Sequence, residues 1–414
     1  MGREDMSREA VEAVWRIESA RIVATLARST GDLALAEDLA QEALAQALVT
    51  WPREGVPASP AAWLLTVGRR RAIDAFRRRA ALDERYAGLA RDQVEAVGSD
   101  VLWDPDEIDD DVLSLVFISC HPVLSREAQV ALALRVLGGL TSDEIARGFL
   151  VPTATVQARI TRAKKTLAAA QVPFALPSAQ ERRERLPSVL SVIYLIFTEG
   201  SSASSGSSLI RVDLAREAIR QARVLAQLMP DEAEAQGLLA LLELTAARFP
   251  ARTDAAGDPV LLEDQDRRLW DRSAIRRGRA ALARAGAVGR GLGYYGVQAA
   301  IAECHAVAPS VGETDWDRIV LLYEALARLA PSPVVDLNRA VAVSMASGPA
   351  AALDIVDALG DVLRGSHLVP SVRGELLTRL GRVEEARDAL ATAVRLCENE
   401  RERGVLERKL SALG

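Results

Sequence analysis

The stretch LTSDEIARGFLVPTATVQARITRAKKTL, residues 140–167, decides the reading of this chain. Thr141 or Ser142 stands where a helix needs a cap, and Glu144 is placed to reach back to it. Ile145, Ala146 and Phe149 then share one face, with Ala146 small enough to admit a neighbouring helix. Leu150, Val151 and Pro152 make a turn, and Thr153 starts a second helix. Val156, Ile160 and Ala163 point to the core of that helix, which leaves Thr155, Gln157, Arg159, Arg162, Lys164 and Lys165 outside. Two short helices about a tight turn, the second polar and cationic, meet the needs of a major-groove reader. Its early residues would meet base edges and its later cations phosphates. A helical hairpin with a solvated basic face has the same pattern, and the segment does not name a class of regulator.

Working towards the N-terminus, residues 63–79 place six arginines in two triplets on one helix, WLLTVGRRRAIDAFRRR. Ser59 caps this helix and Pro60 suits its first turn. Trp63, Leu64, Val67, Ile73 and Phe76 face inward, so most of the arginines are left exposed. A cationic helix beside Trp51 and Trp63 suits backbone phosphates and unstacked bases; the rival reading is a solubilising face. Residues 8–50 also show helical spacing, through Val11, Trp15, Ile22, Leu26, Leu39 and Leu48, broken at Gly31-Asp32. Pro52, Gly55, Pro57, Ser59 and Pro60 make a loop of about nine residues. Asp32, Glu37, Asp38, Gln41 and Glu42 line an acidic, amide-bearing stripe, which by itself reads as a solvated face.

Composition bounds the rest. A chain of 414 residues, at roughly 100–200 per domain, implies two or three units. With 49% apolar and 26% charged residues it is globular, and with only 4% aromatics it favours helix over sheet. The net charge of −6 excludes a general nucleic-acid coat, so DNA binding requires the local basic surfaces above. Cys120, Cys304 and Cys397 are odd in number and widely spaced, so no disulfide framework follows. Cys120-His121 and Cys304-His305 are adjacent pairs, but with three histidines and no CxxC they are expected to be structural, and neither a metal nor a cofactor is expected. The charged N-terminus is no signal peptide and no run of about 18 apolar residues occurs, so a cytoplasmic protein without membrane contact is expected.

Residues 82–111 are polar and acidic and read as a linker, with room for a helical part, followed by a compact unit of short helices at about 112–170. After Pro173 and Pro177 the pattern is helix, short turn, helix to the end. The loop at 200–208, with six serines and two glycines, is expected to be flexible or held by a partner; 250–260 is a second polar loop. Gly381, Ala386 and Ala393 sit where a TPR-type helix pair needs close approach, and Gly348 precedes Gly381 by 33 residues. A non-repeating helical domain is the alternative.

In this order the segments resemble the sigma-70 superfamily of bacterial RNA polymerase subunits. AEDLAQEALAQAL (36–48) and PAAWLLTVGRRRAIDAFRRR (60–79) resemble region 2; LSREAQVALALRVLGGLTSDEIARGFLVPTATVQARITRAKKTL (124–167) resembles region 4. With the linker following region 2 directly, the resemblance implies a chain without regions 1.1 and 3, as in the extracytoplasmic-function group. CHPVLSREAQVAL, YLIFTEG, LLALLEL, LLEDQDRRLWDR, YYGVQAAIAECHA and APSPVVDLNRAVAVSMASGP resemble the subgroup with a long TPR-like C-terminal extension. Ser201, where an aromatic is expected, and Ser207-Ser208, where acids are usual, depart from that pattern.

The resemblance implies an all-α protein: a region 2 domain at 8–81, an acidic linker at 82–111, a helix-turn-helix region 4 domain at 112–171, and a TPR-like regulatory domain at 178–414. It implies that Asp38, Gln41 and Glu42 contact the β′ clamp helices of core polymerase. The loop at 52–59 would hold a flipped −10 base, with Trp63 at the upstream edge of the bubble and Arg69, Arg70, Arg77 and Arg78 on phosphates. Thr155, Gln157, Arg159 and Arg162 would read or grip the −35 element, with Lys164 and Lys165 on phosphates. The extension would contact and regulate the sigma domains. The rivals are a one-component helix-turn-helix regulator with a TPR sensor, which leaves residues 32–79 unexplained, and an enzyme. For an enzyme the sequence offers no nucleophile–base pair, P-loop or HExxH, and Glu199 with the serine-rich loop makes no triad.

Overall fold

Alanine and leucine are abundant and aromatic residues scarce, and every regular element among the described residues is helical, without a strand. The computed structural model describes residues 3–82, 105–149, 151–201, 212–254, 260–288, 291–359, 365–397 and 399–413. The chain is all-α, as expected, and forms two compact units, Met1–Ile193 and Tyr194–Gly414.

The first unit begins with α1 (Arg3–Thr30) and α2 (Leu33–Glu54), which pack on each other. Gly31 turns the chain between them at φ +66, a left-handed conformation that glycine adopts without strain. Asp32 caps α2 by accepting from the Ala34 and Leu35 amides at 2.8 and 3.1 Å. α3 (Pro60–Leu82) packs on both. Its Gly68 sits so close to Leu26 of α1 that a Cβ would lie 2.9 Å from a leucine methyl. Then come α4 (Pro105–Ser119), on α1, and α5 (Arg126–Val136), α6 (Ser142–Phe149) and α7 (Thr153–Ala169). The Trp15 indole on α1 donates to the Gly139 carbonyl, 3.0 Å away, and so ties the three-helix bundle to the turn ahead of α6.

One sequence expectation changes here. The loop expected from Pro52 is shorter, because α2 runs through Pro52 to Glu54 and ends where the Gly55 amide bonds the Trp51 carbonyl at 2.9 Å. In a last turn, proline costs a single backbone bond. The helical part allowed within the 82–111 linker begins at Pro105. Asp111 is buried and pairs with Arg28 at 3.3 Å, so part of the acidic run is structural charge. The remainder of that linker, 83–104, lies outside the described residues, as do 202–208 of the serine-rich loop and 255–259 of the second polar loop.

α8 (Ala179–Ser201) leads into the second unit. There α9 (Val212–Leu228), α10 (Ala233–Ala246), α11 (Arg272–Val288) and α12 (Tyr294–Val307) pack closely. A Cβ on Gly237 of α10 would lie 2.8 Å from the Gly296 amide of α12, so glycine sets that approach. From α13 (Trp316–Leu329) through α14 (Pro333–Ala346), α15 (Pro349–Leu359), α16 (Leu368–Arg379) and α17 (Val383–Leu396) to α18 (Glu400–Ser411), each helix packs on its sequence neighbours. Gly348 and Gly381, both at positive φ, turn the chain into α15 and α17, and Ala386 and Ala393 are buried beyond them. No described helix is long and apolar enough to cross a membrane.

Candidate nucleic-acid interface

Local chemistry builds the helix-turn-helix as expected. The Thr141 amide donates to Glu144 Oε2 at 2.7 Å and the Glu144 amide to Thr141 Oγ1 at 3.2 Å, a closed capping box with Thr141, not Ser142, as the cap. The Val151 amide bonds the Ala146 carbonyl at 3.1 Å and closes the turn. Thr153 Oγ1 donates to Asp143 Oδ1 at 2.7 Å, which holds the start of α7 against α6. Ile145, Ala146, Val156, Ile160 and Ala163 are buried and Phe149 is half-buried. Outside, Gln157, Arg162 and Lys165 are exposed, and Thr155 and Arg159 half-buried. Arg159 and Arg162 line a shallow groove of about 450 Å³ with Ser125 and Glu127 of α5's start.

Lys164 is placed differently from its neighbours. Its side chain, expected on the outer face, is only 13% exposed and donates to Glu37 of α2, with Asp38 Oδ1 at 3.3 Å. Arg135 of α5 reaches the same carboxylate at 2.8 Å and also donates to the Leu140 carbonyl at 3.1 Å. Burial pushes the Glu37 carboxyl up, but Arg135 and Lys164 together outweigh it and hold the group below the usual carboxylate range. Sequence reasoning put Glu37 on an outer stripe. Its signal was its register, since it falls among Ala36, Ala40, Ala43, Ala47 and Trp51, all buried. Arg135 carried no signal, because nothing local marks a cation for a distant acid.

On the other surface of α2, Asp38 is exposed and Gln41 half-buried. Glu42 is exposed and held by Arg71 at 2.7 Å, with Arg71 also donating to Gln46 at 3.1 Å. One arginine of the first triplet is thus a structural brace. Arg70, Arg77 and Arg78 are exposed and Arg69 half-buried. Trp63 is half-buried and meets Trp51 edge to face at 5.5 Å. Trp51 is 1% exposed, so of the two aromatics expected beside unstacked bases only Trp63 is presented. Ala58, Ser59 and Pro60 border a groove of about 440 Å³ with Val14, Ile17 and Glu18 of α1.

Cys120, Cys304 and Cys397 are buried, and burial pushes the Cys120 thiol up to about 12. Among the described residues, the His/Cys/Glu group that comes together, His367, Cys397 and Glu402, includes neither Cys-His pair.

A helix-turn-helix with an exposed polar and cationic face, in one unit with a second cationic helix on a three-helix bundle, defines a multi-point DNA-binding protein. Comparison with known families adds the rest. Residues 15–81 match Sigma-70 region 2 and residues 114–167 match Sigma-70 region 4. Residues 185–286 match a family of unknown function, DUF6596. An uncharacterized protein of Rhizobium meliloti (strain 1021), R00370, is 47% identical over 391 residues, covering 94% of this chain and 92% of its own length. The chain belongs to the sigma-70 superfamily, as an extracytoplasmic-function-like sigma factor with a C-terminal extension. Its role is promoter recognition in transcription initiation.

Proposed function

We propose that the chain docks on the β′ clamp helices of core RNA polymerase through Asp38, Gln41 and Glu42, and there directs promoter recognition and melting in the bacterial cytoplasm. The observation that carries this reading is the pairing of an exposed acidic patch on α2 with exposed cations on α3 and α7, in a chain with both sigma regions. The groove beside residues 58–60 accepts an unstacked −10 base and Trp63 stacks at the bubble edge, worth about 1–3 kcal/mol per stacked base. Arg69, Arg70, Arg77 and Arg78 hold phosphates. Thr155, Gln157, Arg159 and Arg162 read or grip the −35 element, and Lys165 holds phosphate. With about six phosphates neutralised, log affinity falls with log salt at a slope of about −5. The work is binding, with no bond chemistry.

The 178–414 domain acts as a TPR-like regulator in this reading, because stacked helices form partner-binding surfaces. Transcription by the chain truncated after Gln171 tells its sign: rising output means inhibition, lost output a positive role.

The test of the whole is purified protein with core polymerase on promoter templates, where specific initiation is expected. Tight duplex binding without polymerase association overturns the proposal and leaves a one-component regulator.

A further inference from the structure

In the second unit Arg248, Arg252 and Arg267 are half-buried, and among the described residues none of them forms an ion pair. Arg248 and Arg252 flank the short turn Phe249–Ala251, and Arg267 opens the turn Arg267–Leu269. Both turns approach Trp270, whose indole is 2% exposed. The Arg267 and Arg248 guanidinium carbons lie 4.6 and 5.5 Å from its ring centroid. His305, in the last turn of α12, completes the group, since Arg267 Nη1 donates at 2.6 Å to its carbonyl and to that of Ala308.

The hydrogen-bond partners of these arginines are neutral. Arg248 Nε reaches Gln265 Oε1 at 3.4 Å, and Arg252 Nη1 reaches the Ser201 carbonyl at 2.6 Å. The acid that acts on Arg252, Glu402, is shared with His367 at 3.5 Å. Nearby arginines are treated otherwise. Arg268 pairs with Asp266 at 2.8 Å in the open, and Arg223 and Arg277 both pair with Glu243. Three buried nitrogens of the cluster are left without partners: Arg267 Nη2, Trp270 Nε1 and His305 Nδ1.

Charge partly withdrawn from water without a counter-charge is costly, and so is a buried N–H that donates to nothing. The Trp270 ring offsets part of this through cation–π attraction. Arg252 and Arg267 also meet carbonyls at the ends of α8 and α12, where a cation suits the helix dipole. Arg248 meets no such carbonyl. Burial lowers it to about 10, with repulsion from Arg252 and Arg267 added, and burial lowers His305 to about 4, with Arg248 and Arg267 adding to that.

We propose that Arg248, Arg252 and Arg267, with Trp270 and His305, form a binding site for a small doubly charged oxyanion, phosphoryl or dicarboxylate. Guanidinium forks match both oxyanion geometries, and such a ligand supplies the missing charge and acceptors at once. Nothing in the DNA-binding role of the first unit uses these residues.

The full-length chain is titrated with inorganic phosphate or with malonate at fixed pH and ionic strength, chloride making up the balance. A saturable rise in the unfolding midpoint of about 5 °C is expected with at least one of them. Phosphate alone marks a phosphoryl site, and malonate alone a carboxylate site. In protein labelled at its three histidines, the His305 ring signal, assigned with His305→Asn, shifts on the same titration. Arg248→Gln abolishes both shifts while its midpoint in chloride stays at or above the parent value, because a repelling charge has gone. Arg268→Gln, in the exposed pair, keeps them. No saturable shift with either anion overturns the proposal, as does an Arg248→Gln protein that still responds; should that variant not fold, the parent titration decides alone.

Discussion

Lys164 of α7 donates to the carboxylate of Glu37 on α2, 127 residues earlier in the chain. The contact joins the helix that faces DNA in the proposed reading to the helix that faces polymerase. Asp38, the next residue, is 69% exposed at its side chain yet lies 3.3 Å from the same ammonium. In this arrangement the Lys164 ammonium meets two carboxylates of α2.

Glu37→Gln removes the charge and leaves Arg135 and Lys164 partly buried without it. The first unit should lose roughly 2–3 kcal/mol in denaturant unfolding at neutral pH. Because the native carboxyl titrates below its ordinary value, its contribution is present above the unfolded-state pKa and fades as pH falls through the native one, so the gap between parent and variant closes in acid. The freed Lys164 adds one phosphate contact, and the log–log salt slope for duplex binding steepens by about 0.9. A slope unchanged from the parent would falsify the coupling between this pair and the grip on DNA.

On α7 the exposed residues separate by role. Arg162→Ala should weaken duplex binding evenly across sequences and reduce the salt slope by about 0.9. Gln157→Ala should instead relax the preference at one base position by about 1–3 kcal/mol with the slope kept. Competition binding over randomised duplexes distinguishes them, and a Gln157 variant with unaltered preference removes that residue from base reading.

The tryptophan pair divides between fold and function. Trp51→Ala opens a cavity under α3 and should cost about 3–5 kcal/mol in stability. Trp63→Ala should cost less stability and lose about 1–3 kcal/mol of binding to a pre-melted −10 template, measured with core polymerase present. Equal binding to melted and duplex templates by both proteins argues against stacking.

His305 gives the second unit an acid sensitivity. Its imidazole is pushed down to about 4 by burial, with Arg248 and Arg267 adding repulsion and Trp316 packed edge-on at 5.2 Å. From the ordinary 6.5 down to about 4 the unfolded chain binds the extra proton, so stability falls with falling pH, by up to about 1.4 kcal/mol per pH unit. His305→Asn should remove that slope in this window, followed by unfolding free energy against pH with oxyanions excluded. A variant with the parent's slope shows that other groups carry the acid response.

Much of the site was legible because its causes are local. The Thr141–Glu144 box, the turn at Pro152 and the inward register of Val156, Ile160 and Ala163 follow from residues within a few positions of each other. The outward arginines of α3 follow likewise from the 3.6-residue repeat. The reach of α2 past Pro52 was missed because proline marks an interruption without saying whether the last turn persists. The burial of Trp51 was missed because its cover is supplied by another helix. The charge deficit around Arg248 is also invisible in sequence, since each arginine looks like any other until its neighbours are counted.

Periodicity, capping and charge spacing along the chain were enough to establish an all-helical protein with a helix-turn-helix and a cationic helix, since each depends on backbone geometry over one or two turns. Which acids and bases stand free was decided only by tertiary packing. Glu37, Arg135 and Lys164 come from three helices, and a carboxylate removed from water is held charged only where the fold brings cations to it.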